Sequence, residues 1–378
     1  MKSRCIVLFE NYLHSKYTIK TYSVHIELFR KYHNLPTWDS ILSLKTKDFK
    51  EKIEDYVIML KNQNKSNSYI RNITFGLQAL FEANDREDIN WKKIRRLAGG
   101  LAKPKETRPY TTKEIKRMLS VTKSLRNRAL ILFFSSSGVR RGAIPNLKLK
   151  DLKQMTHGCL SVTVYSGEPE QYITFINKEA SEALGHYHDQ RKRDGEILTS
   201  ESLVFASTWK ENKGKPLNET TISLLIRRIK HLAGLDTGDL PNLLVHAFRR
   251  RFNTILKLKD NANPTIIERL MGHDQGLDNS YFQPTEEQLF EEYVKGMTDL
   301  SIDDNERLLA EREIMQAEIN ALEEEKAKNN ELNLKMQEYE ANQNEILKVM
   351  RLLQNGQARL KNSPENELHV TLIPEVKK

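Results

Sequence analysis

Cysteine is nearly absent from this sequence, since Cys5 and Cys159 are the only two among 378 residues. Two cysteines cannot build a disulfide framework or a zinc site, so stability has to come from an apolar core in a reducing compartment. No apolar stretch approaches the ~20 residues that a transmembrane helix needs. The apolar block at residues 6–9 is too short for a signal peptide. We therefore expect a cytoplasmic protein that does not bind membranes.

Acidic residues are scarce in the first 150 residues, which hold 31 lysines and arginines against 13 aspartates and glutamates, a net charge of +18. Residues 301–378 have the opposite balance, with 11 basic and 16 acidic residues and a net charge of −5. A concentrated basic excess suits a surface that holds a polyanion such as DNA, although lysine-rich helices can also serve solubility alone. No helix rich in lysine, tryptophan and phenylalanine stands out, which disfavours a membrane surface as the partner.

The first 100 residues show helical spacing of apolar side chains, as at Ile53, Val57 and Leu60, with polar breaks between the segments. This pattern predicts an N-terminal bundle of four or five helices over residues 1–100. Residues 101–109 contain two prolines and three basic residues. Proline prevents regular structure there, so we expect a basic, extended linker to a second domain.

A second domain is predicted over residues 110–298. Thr111 and Glu114 have the spacing of a helix capping box. The apolar period then changes, and segments 160–164 and 172–176 flank Ser166-Gly167 as the strands of a hairpin would. Helical patterns resume over residues 178–193 and 219–232. The sequence thus predicts a mainly α protein whose second domain is mixed α+β, with a small antiparallel sheet of about three strands.

Residues 299–362 form the predicted tail, and no proline occurs after residue 300 until residue 364. Five apolar residues recur there at multiples of seven, namely Leu308, Met315, Leu322, Met336 and Met350. This repeat predicts a long C-terminal helix and favours a coiled coil. The companion positions four residues later are mostly polar, which leaves a solvated single helix as the alternative. We expect residues 363–378 to be a flexible C-terminus.

Four short segments contain residues that could carry chemistry. Arg140 follows a glycine turn, His246 and Arg249 share one helix face, His273 follows Gly272, and Tyr281 comes eight residues after His273. Taken singly, each has an ordinary explanation: a surface arginine, a solvated basic stretch, a turn histidine and a packed tyrosine. An arginine and a histidine side by side can also clamp an anion, because the guanidinium fork matches phosphate oxygens and the imidazole can pass a proton.

The order and spacing of these segments resemble the tyrosine recombinase (phage integrase) family. The region of Ser280-Tyr281, Pro284-Thr285 and the acidic helix that follows is most similar to archaeal integrases. The resemblance covers about residues 110–295, and the N-terminal part matches only in length, charge and helical character. It implies that residues 1–100 are a core-DNA-binding domain and that residues 110–298 are the catalytic domain.

Five residues take family roles under this resemblance: Arg140 as the first arginine, His246 and Arg249 as the central pair, His273 as the late histidine and Tyr281 as the nucleophile. The implied activity is site-specific cleavage and rejoining of double-stranded DNA through a 3′-phosphotyrosyl intermediate, in integration, excision or resolution. Such chemistry needs no cofactor, metal or small-molecule substrate, and it implies a homotetramer on paired sites.

Three departures from the family pattern bear on activity. The lysine expected in the second hairpin as general acid is missing, because residues 154–177 contain none and Lys153 and Lys178 only flank the gap. Ala143 stands where an acidic residue is expected, and the spacing from His273 to Tyr281 is eight rather than the usual nine. The proton donor is therefore unassigned, and a catalytically weak or inactive DNA-binding relative stays open as an alternative.

Two further alternatives concern the nucleophile and the reaction. Tyr293 is a rival nucleophile, but its acidic neighbours would raise the pKa of its phenol, and Phe282 has no hydroxyl at all. A type IB topoisomerase would use the same nucleophile chemistry. A separate N-terminal domain and a partner-seeking tail fit recombination better, because recombination needs several protomers.

Overall fold

The computed structural model describes residues 2–100, 107–208, 211, 213–236, 244–274, 276, 281–356, 358–362 and 368–372. The chain divides into two compact units, residues 1–106 and 107–378. Residues 101–106 of the predicted linker, and residues 363–367 and 373–378 of the predicted C-terminus, lie outside the described part. No helix in that part is both long and apolar enough to cross a membrane.

All the regular secondary structure among the described residues of the first unit is helical. Its six helices are α1 (Arg4–Tyr12), α2 (Lys16–Tyr32), α3 (Trp38–Leu42), α4 (Thr46–Asn62), α5 (Asn67–Glu82) and α6 (Trp91–Leu97). The prediction of four or five helices counted too few, because α3 and α6 are only 5 and 7 residues long. Ile53, Val57 and Leu60 are all buried, as their spacing predicted. The rings of Phe49 and Phe81 pack in this core with their centres 4.3 Å apart and their planes tilted by 43°.

The second unit contains eight further α-helices whose bounds lie within its described residues. They are α7 (Thr112–Ser120), α8 (Leu125–Ser137), α9 (Lys178–Arg193), α10 (Glu219–Leu232), α11 (Val245–Lys257), α12 (Pro264–Leu270), α13 (Glu286–Leu300) and α14 (Asp304–Gln354). The predicted capping box is present, with Thr111 and Glu114 accepting from each other's backbone N–H groups. α8 is buried on all sides from Ala129 to Ser137, and α9 and α11 pack against it. It therefore forms the central support of this unit.

A small antiparallel sheet lies among these helices, in the order β1 (Leu152–Gln154), β2 (Leu160–Val164) and β3 (Tyr172–Ile176). Val164 pairs with Tyr172 and Leu160 with Ile176, which confirms the predicted hairpin. The connecting turn spans residues 165–171 and contains Gly167 at φ 80°, a backbone conformation that side chains disfavour. The mixed α+β character predicted for this domain is thereby confirmed.

The C-terminal helix α14 is 51 residues long, which confirms the long helix but not its predicted end. It stops at Gln354 because Gly356 adopts φ 70°, and β4 (Ala358–Asn362) then pairs antiparallel with β5 (Leu368–Leu372). The predictions of helix to residue 362 and of flexibility at residues 368–372 are therefore wrong. The alternation of Leu368, Val370 and Leu372 is the strand signal that was missed.

The tail also begins later than its sequence boundary at residue 299. Ile302 is buried in the core of the second unit, and Ile314 packs against the same unit from the second-to-third turn of α14. Lys116 and Asp304 form an ion pair of 2.6 Å at the start of α14. The first turns of α14 thus belong to the compact unit, and residues 319–348 are all exposed.

Candidate active site

Arg140 lies just beyond the end of α8. The helix ends at Gly138 in the left-handed region at φ 61°, and a Cβ there would lie 2.7 Å from the ring of Phe252. Only glycine fits that position, so the chain turns sharply and leaves the Arg140 side chain exposed. Its Nη1 donates to the Gly272 carbonyl at 3.1 Å. The guanidinium is therefore held beside the loop that carries the late histidine.

Arg249 and His246 come from the first turns of α11. Arg249 is only 2% exposed and its Nη1 donates to the Gly138 carbonyl at 2.7 Å. Its Nη2 donates to the Met271 carbonyl. Burial, and then the charge of Arg140, lower the pKa of Arg249, but a guanidinium stays charged at neutral pH. The two hydrogen bonds of Arg249 therefore link the end of α8 to the end of α12.

The two guanidiniums converge on one stretch of main chain, because Arg140 also donates to the Met271 carbonyl at 3.5 Å. Like charges repel, so such proximity persists only where acceptors or an anion offset it. The carbonyls at Met271 and Gly272 supply the acceptors here. His246 remains exposed at the edge, and partial burial followed by the charges of Arg250, Arg249 and Arg140 lowers its pKa. The imidazole is therefore mainly neutral at pH 7.

His273 is placed by the turn after α12. Pro264 occupies the first turn of α12, and Gly272 at φ 60° follows its end. A Cβ on Gly272 would overlap the ring of Tyr172. Nδ1 of His273 hydrogen-bonds the Glu268 carboxylate, which also pairs with Lys257.

Glu268 fixes the orientation of the His273 ring. Partial burial acts to raise the pKa of Glu268, but hydrogen bonds from Lys257 and His273 outweigh it and the pKa lies below its usual value. The carboxylate therefore stays ionised and holds Nδ1–H of His273. Nε2, which no described residue engages, is left for a substrate atom.

Tyr281 stands apart from these four side chains. Its side chain is 86% exposed, and no hydrogen bond joins its hydroxyl to another described residue. Phe282 is held instead, because the guanidinium of Arg269 lies 5.5 Å from its ring centre and donates to its carbonyl. The structure thus brings together Arg140, Arg249, His246 and His273, and leaves the phenol of Tyr281 in solvent.

The rival tyrosine, Tyr293, is part of the core. It is fully buried, and its hydroxyl lies 2.8 Å from the hydroxyl of Ser136. Burial raises its pKa well above the ordinary value, and this cause replaces the acidic neighbours proposed from the sequence. A nucleophile has to reach the phosphate, so this location argues against Tyr293.

The two lysines that flank the hairpin are engaged elsewhere. Lys153 pairs with Glu286 at 2.6 Å and Lys178 with Glu313 at 3.5 Å. Ala143, which stands where an acidic residue is expected, is buried in the short 3-10 turn after Arg140. None of these residues donates a proton or a charge to the site.

Sequence reasoning missed Tyr172 and Glu268. Tyr172 is the first residue of β3, and it borders a cleft of about 660 Å³ together with Arg269, Gly272 and His273. The signal for Glu268 was its position five residues before His273 on a helix that ends in a turn. For Tyr172 the only signal was its place at the base of the hairpin.

Known recombinases are similar to this chain in sequence. The profile described as "Phage integrase family" matches residues 109–283. Tyrosine recombinase XerC of Lactobacillus delbrueckii subsp. bulgaricus is 26% identical over 151 residues, which are 40% of this chain and 48% of that protein. Tyrosine recombinase XerA of Pyrococcus horikoshii is 25% identical over 264 residues, 68% of this chain and 80% of that one. The chain thus spans about half the length of the XerC relatives that it matches.

Solved structures share the fold. The Tn1549 transposon integrase (residues 82–397), solved with circular intermediate DNA, has a TM-score of 0.54 at 16% identity, over 76% of this chain and 98% of that one. A lambda integrase dimer bound to a core site has a TM-score of 0.51 at 20% identity, over 75% and 96%. Residues 109–283, somewhat under half of the chain, thus match the family model described as "Phage integrase family".

Proposed function

We propose that this protein is a site-specific DNA recombinase that cleaves and rejoins DNA through a covalent link to Tyr281. One observation carries the proposal: the guanidiniums of Arg140 and Arg249, from segments more than a hundred residues apart, converge on the main chain at Met271 and Gly272. His273 follows directly, and its ring is held by Glu268. This arrangement is a preformed cationic site for one phosphate group.

The arginines would act on the non-bridging oxygens of the scissile phosphate. Arg249 is rigid, because its two hydrogen bonds to Gly138 and Met271 fix the guanidinium in the core. Arg140 is exposed and can exchange its carbonyl acceptor for a phosphate oxygen. Fixed donors of this kind stabilise the extra negative charge of a pentacoordinate transition state without reorganisation.

Tyr281 would supply the nucleophile once DNA brings its phenol to the cations. A free phenol of pKa ~10 is a poor nucleophile, and cations beside it favour the phenolate. Neutral His246 can accept its proton, while the imidazolium form of His273, paired with Glu268 through Nδ1–H, would donate Nε2–H to a phosphate oxygen. Attack on phosphorus breaks the bond to the 5′-oxygen and leaves a 3′-phosphotyrosine. A second strand's 5′-hydroxyl reverses the step, so no external energy source is consumed.

A nicked suicide substrate tests the proposal. Cleavage of such DNA releases a short strand that cannot return, so an active enzyme accumulates as a denaturation-resistant protein–DNA adduct. Absence of adduct on DNA that the protein binds would favour the inactive DNA-binding alternative. Strand exchange between two sites, assayed on the same preparation, separates a recombinase from a type IB topoisomerase, which would relax supercoils without exchange. We expect exchange, carried out by a homotetramer on paired sites.

The N-terminal unit is proposed to supply most of the sequence-independent grip on DNA. Residues 1–109 hold 21 lysines and arginines against 12 aspartates and glutamates. α6 concentrates this charge, since Lys92, Lys93 and Arg96 are exposed and form no ion pair within the described part of the chain. Arg95 lies over the ring of Phe75 at 4.8 Å. The exposed cations of α6 are thus available to phosphates.

Neutralising this patch should weaken DNA binding. We expect Lys92→Gln, Lys93→Gln and Arg96→Gln together to lower affinity for nonspecific duplex and to reduce the salt slope by about one unit per lost phosphate contact. Removing residues 1–109 should reduce both further. Affinity measured against salt concentration checks this.

A matched control removes the same charge elsewhere in the unit. Lys45, Lys47 and Lys50 are exposed at the start of α4, and replacing them with glutamine should change affinity less. Equal losses from both triple variants would show that only net charge matters. An unchanged salt slope after removal of residues 1–109 would contradict the assignment of this unit to DNA binding.

A further inference from the structure

The second half of α14 carries an apolar seam. Its second row of positions lies one residue earlier in the chain than the sequence analysis predicted. The companion of each seven-residue step lies three residues after it, not four. The first set of positions is Asn329, Met336, Gln343 and Met350, and the second set is Leu332, Tyr339, Ile346 and Leu353. Apolar residues at alternating steps of three and four form the contact stripe of a coiled coil.

This seam is exposed in the structure. Leu332, Met336, Tyr339, Ile346 and Met350 are each more than half exposed. Residues 319–348 are exposed without exception, while Ile314 packs on the second unit before them and the end of α14 contacts β4 after them. An isolated apolar stripe of this length in water is unfavourable. Within the described part of the chain nothing covers it.

We propose that the seam over residues 329–353 joins two copies of this chain in a parallel, two-stranded coiled coil. A second copy has the same seven-residue period, so its seam matches along the whole roughly 37 Å of helix. In a parallel pair the polar Asn329 and Gln343 meet their own counterparts and can hydrogen-bond across the seam. This surface is independent of the recombinase chemistry proposed above.

Charge favours the parallel orientation over the antiparallel one. Lys335 and Glu340 flank the seam on opposite sides, five residues apart. A parallel pair puts Lys335 beside Glu340 of the partner subunit, twice per dimer. An antiparallel pair would instead bring Lys328 and Lys335 of both helices to one side, where like charges repel.

Sedimentation of the full chain without DNA tests the seam. Leu332→Glu with Ile346→Glu puts two charges on the seam, and Leu334→Glu with Ala341→Glu puts two on the opposite face. Leu332 and Leu334 are a matched pair, being 61% and 62% exposed. We expect the wild type and the off-seam variant to dimerise alike, and the on-seam variant at least about tenfold more weakly. A monomeric wild type, or equal effects of both variants, would overturn the proposal.

A charge exchange tests the orientation. Lys335→Glu should weaken the dimer, and adding Glu340→Lys should restore it. Lys335 also pairs with Glu331 of its own helix at 2.6 Å, so helix content is compared by circular dichroism in both variants. Failure of the second change to restore dimerisation, at equal helix content, would exclude the parallel arrangement.

Truncation separates the tail from the chemistry. The cut belongs after Asn320 rather than after Leu300, because Ile302 and Ile314 pack against the compact unit. We expect the shortened protein to be monomeric without DNA, to form adduct on a single nicked site at the wild-type rate, and to recombine two sites less efficiently. Retained dimerisation in the shortened protein would overturn the seam, whatever its activity.

A second inference concerns the missing proton donor and rests on the proposed function. The hydroxyl of Tyr172 is buried and has no hydrogen-bond partner of ordinary geometry among the described residues. Its ring lies against Gly272, between the loop of His273 and the base of the hairpin. Buried donors without partners are rare in folded proteins, and each one calls for an explanation.

The surroundings of this hydroxyl are those of the phosphate site. Burial raises the pKa of Tyr172, while the charges of Arg249 and Arg140, and a weak hydrogen bond from Arg249, act to lower it. Tyr172 begins β3, opposite Val164 at the end of β2, in the same hairpin that holds a lysine in the resembling family. Both nearby lysines are paired elsewhere. The hairpin therefore lacks the expected lysine but has the phenol of Tyr172 at its base.

We propose that Tyr172 donates its hydroxyl proton to the 5′-oxygen that leaves when Tyr281 attacks. The Tyr281 oxygen forms a bond to phosphorus, the bond from phosphorus to the 5′-oxygen breaks, and that oxygen takes the proton of Tyr172. The Tyr172 phenolate stays beside two guanidiniums until a proton returns to it from solvent or His246. The proton of Tyr281 leaves to a base, so charge and protons balance over the cycle.

Sulfur substitution at the leaving atom tests this donor. A 5′-thiolate leaves without a proton, so a bridging phosphorothiolate substrate bypasses the acid. We expect Tyr172→Phe to slow adduct formation on the oxygen substrate by about 10²–10⁴-fold and to cleave the sulfur substrate within a few-fold of the wild type. Stability should fall little, because the lost hydroxyl has no hydrogen bond of ordinary geometry among the described residues.

Tyr165→Phe is the matched control, since it removes a phenol from the same hairpin, 6.2 Å away between ring centres. It should show no difference between the two substrates. The assignment would be overturned if Tyr172→Phe slowed adduct formation equally on the oxygen and sulfur substrates. It would also be overturned if the sulfur substrate restored the rate only for Tyr165→Phe. A wild type that forms no adduct with either substrate would overturn the proposed function itself, and this step with it.

Discussion

Tyr281→Phe should abolish covalent attachment to DNA while leaving DNA binding unchanged. The substitution removes only the nucleophilic oxygen. Tyr281 is 86% exposed and its hydroxyl makes no hydrogen bond to a described residue, so neither the fold nor the proposed phosphate site should respond. We expect adduct on a nicked suicide substrate to fall below detection and the dissociation constant for the same DNA to change less than about twofold. Denaturing electrophoresis beside a binding titration measures both.

Two other tyrosines serve as controls for that result. Tyr17 is 73% exposed in the N-terminal unit, and Tyr17→Phe should form adduct at the wild-type rate. Tyr293→Phe should also form adduct, but it loses the buried hydrogen bond to Ser136 and should cost about 1–3 kcal/mol of stability. Adduct formed by Tyr281→Phe would disprove the nucleophile. Loss of adduct in a folded Tyr293→Phe protein would point to Tyr293 instead.

The helices and the small sheet were predictable from the sequence because their signals are local. The capping box at Thr111 and the breaks around residues 165–171 lie within a few residues of the elements they bound. The hairpin after α14 was missed because a single glycine ends the helix within a segment whose composition is strongly helical. Gly356 at φ 70° decides that end, and composition does not record it.

Four of the five predicted site residues meet in the structure, Tyr281 stands apart from them, and the arrangement of the four was not predictable. Motif spacing selected Arg140, Arg249 and His273, whereas their joint contact with the carbonyls of Met271 and Gly272 depends on how α8, α11 and α12 pack. Glu268 and Tyr172 become visible only when that packing brings them to His273 and Gly272. Long-range contacts of this kind leave no periodic signal in the sequence.

The two arginines should matter to cleavage far more than to binding. Each would neutralise a phosphate oxygen whose charge grows in the transition state, so the loss appears mainly in rate. We expect Arg140→Ala and Arg249→Ala each to slow cleavage by on the order of 10²–10³-fold or more, with little change in affinity. Single-turnover rates on the suicide substrate, measured beside binding at several salt concentrations, check this.

Substitutions at Arg140 and Arg249 should differ in their effect on protein stability. Arg140 is exposed, so its removal should leave the fold intact. Arg249→Ala leaves the buried carbonyl of Gly138 without its donor and leaves the Met271 carbonyl only the long bond from Arg140, which should cost about 1–3 kcal/mol for the unpaired acceptor. Arg249→Lys keeps the charge but not the planar fork, and it should be more stable than the alanine variant yet still slow.

Arg141 provides the matched control for Arg140, as the next residue in the chain with the same side chain. It pairs with Glu219 at 2.9 Å and donates to Ser223 at 2.6 Å, away from the carbonyls of Met271 and Gly272. Arg141→Ala should therefore cleave at nearly the wild-type rate. An arginine that served chiefly as a phosphate anchor would instead reduce affinity and the salt slope together. If Arg140→Ala and Arg141→Ala slow cleavage equally, or if Arg140→Ala loses affinity in proportion to rate, Arg140 is not a catalytic residue.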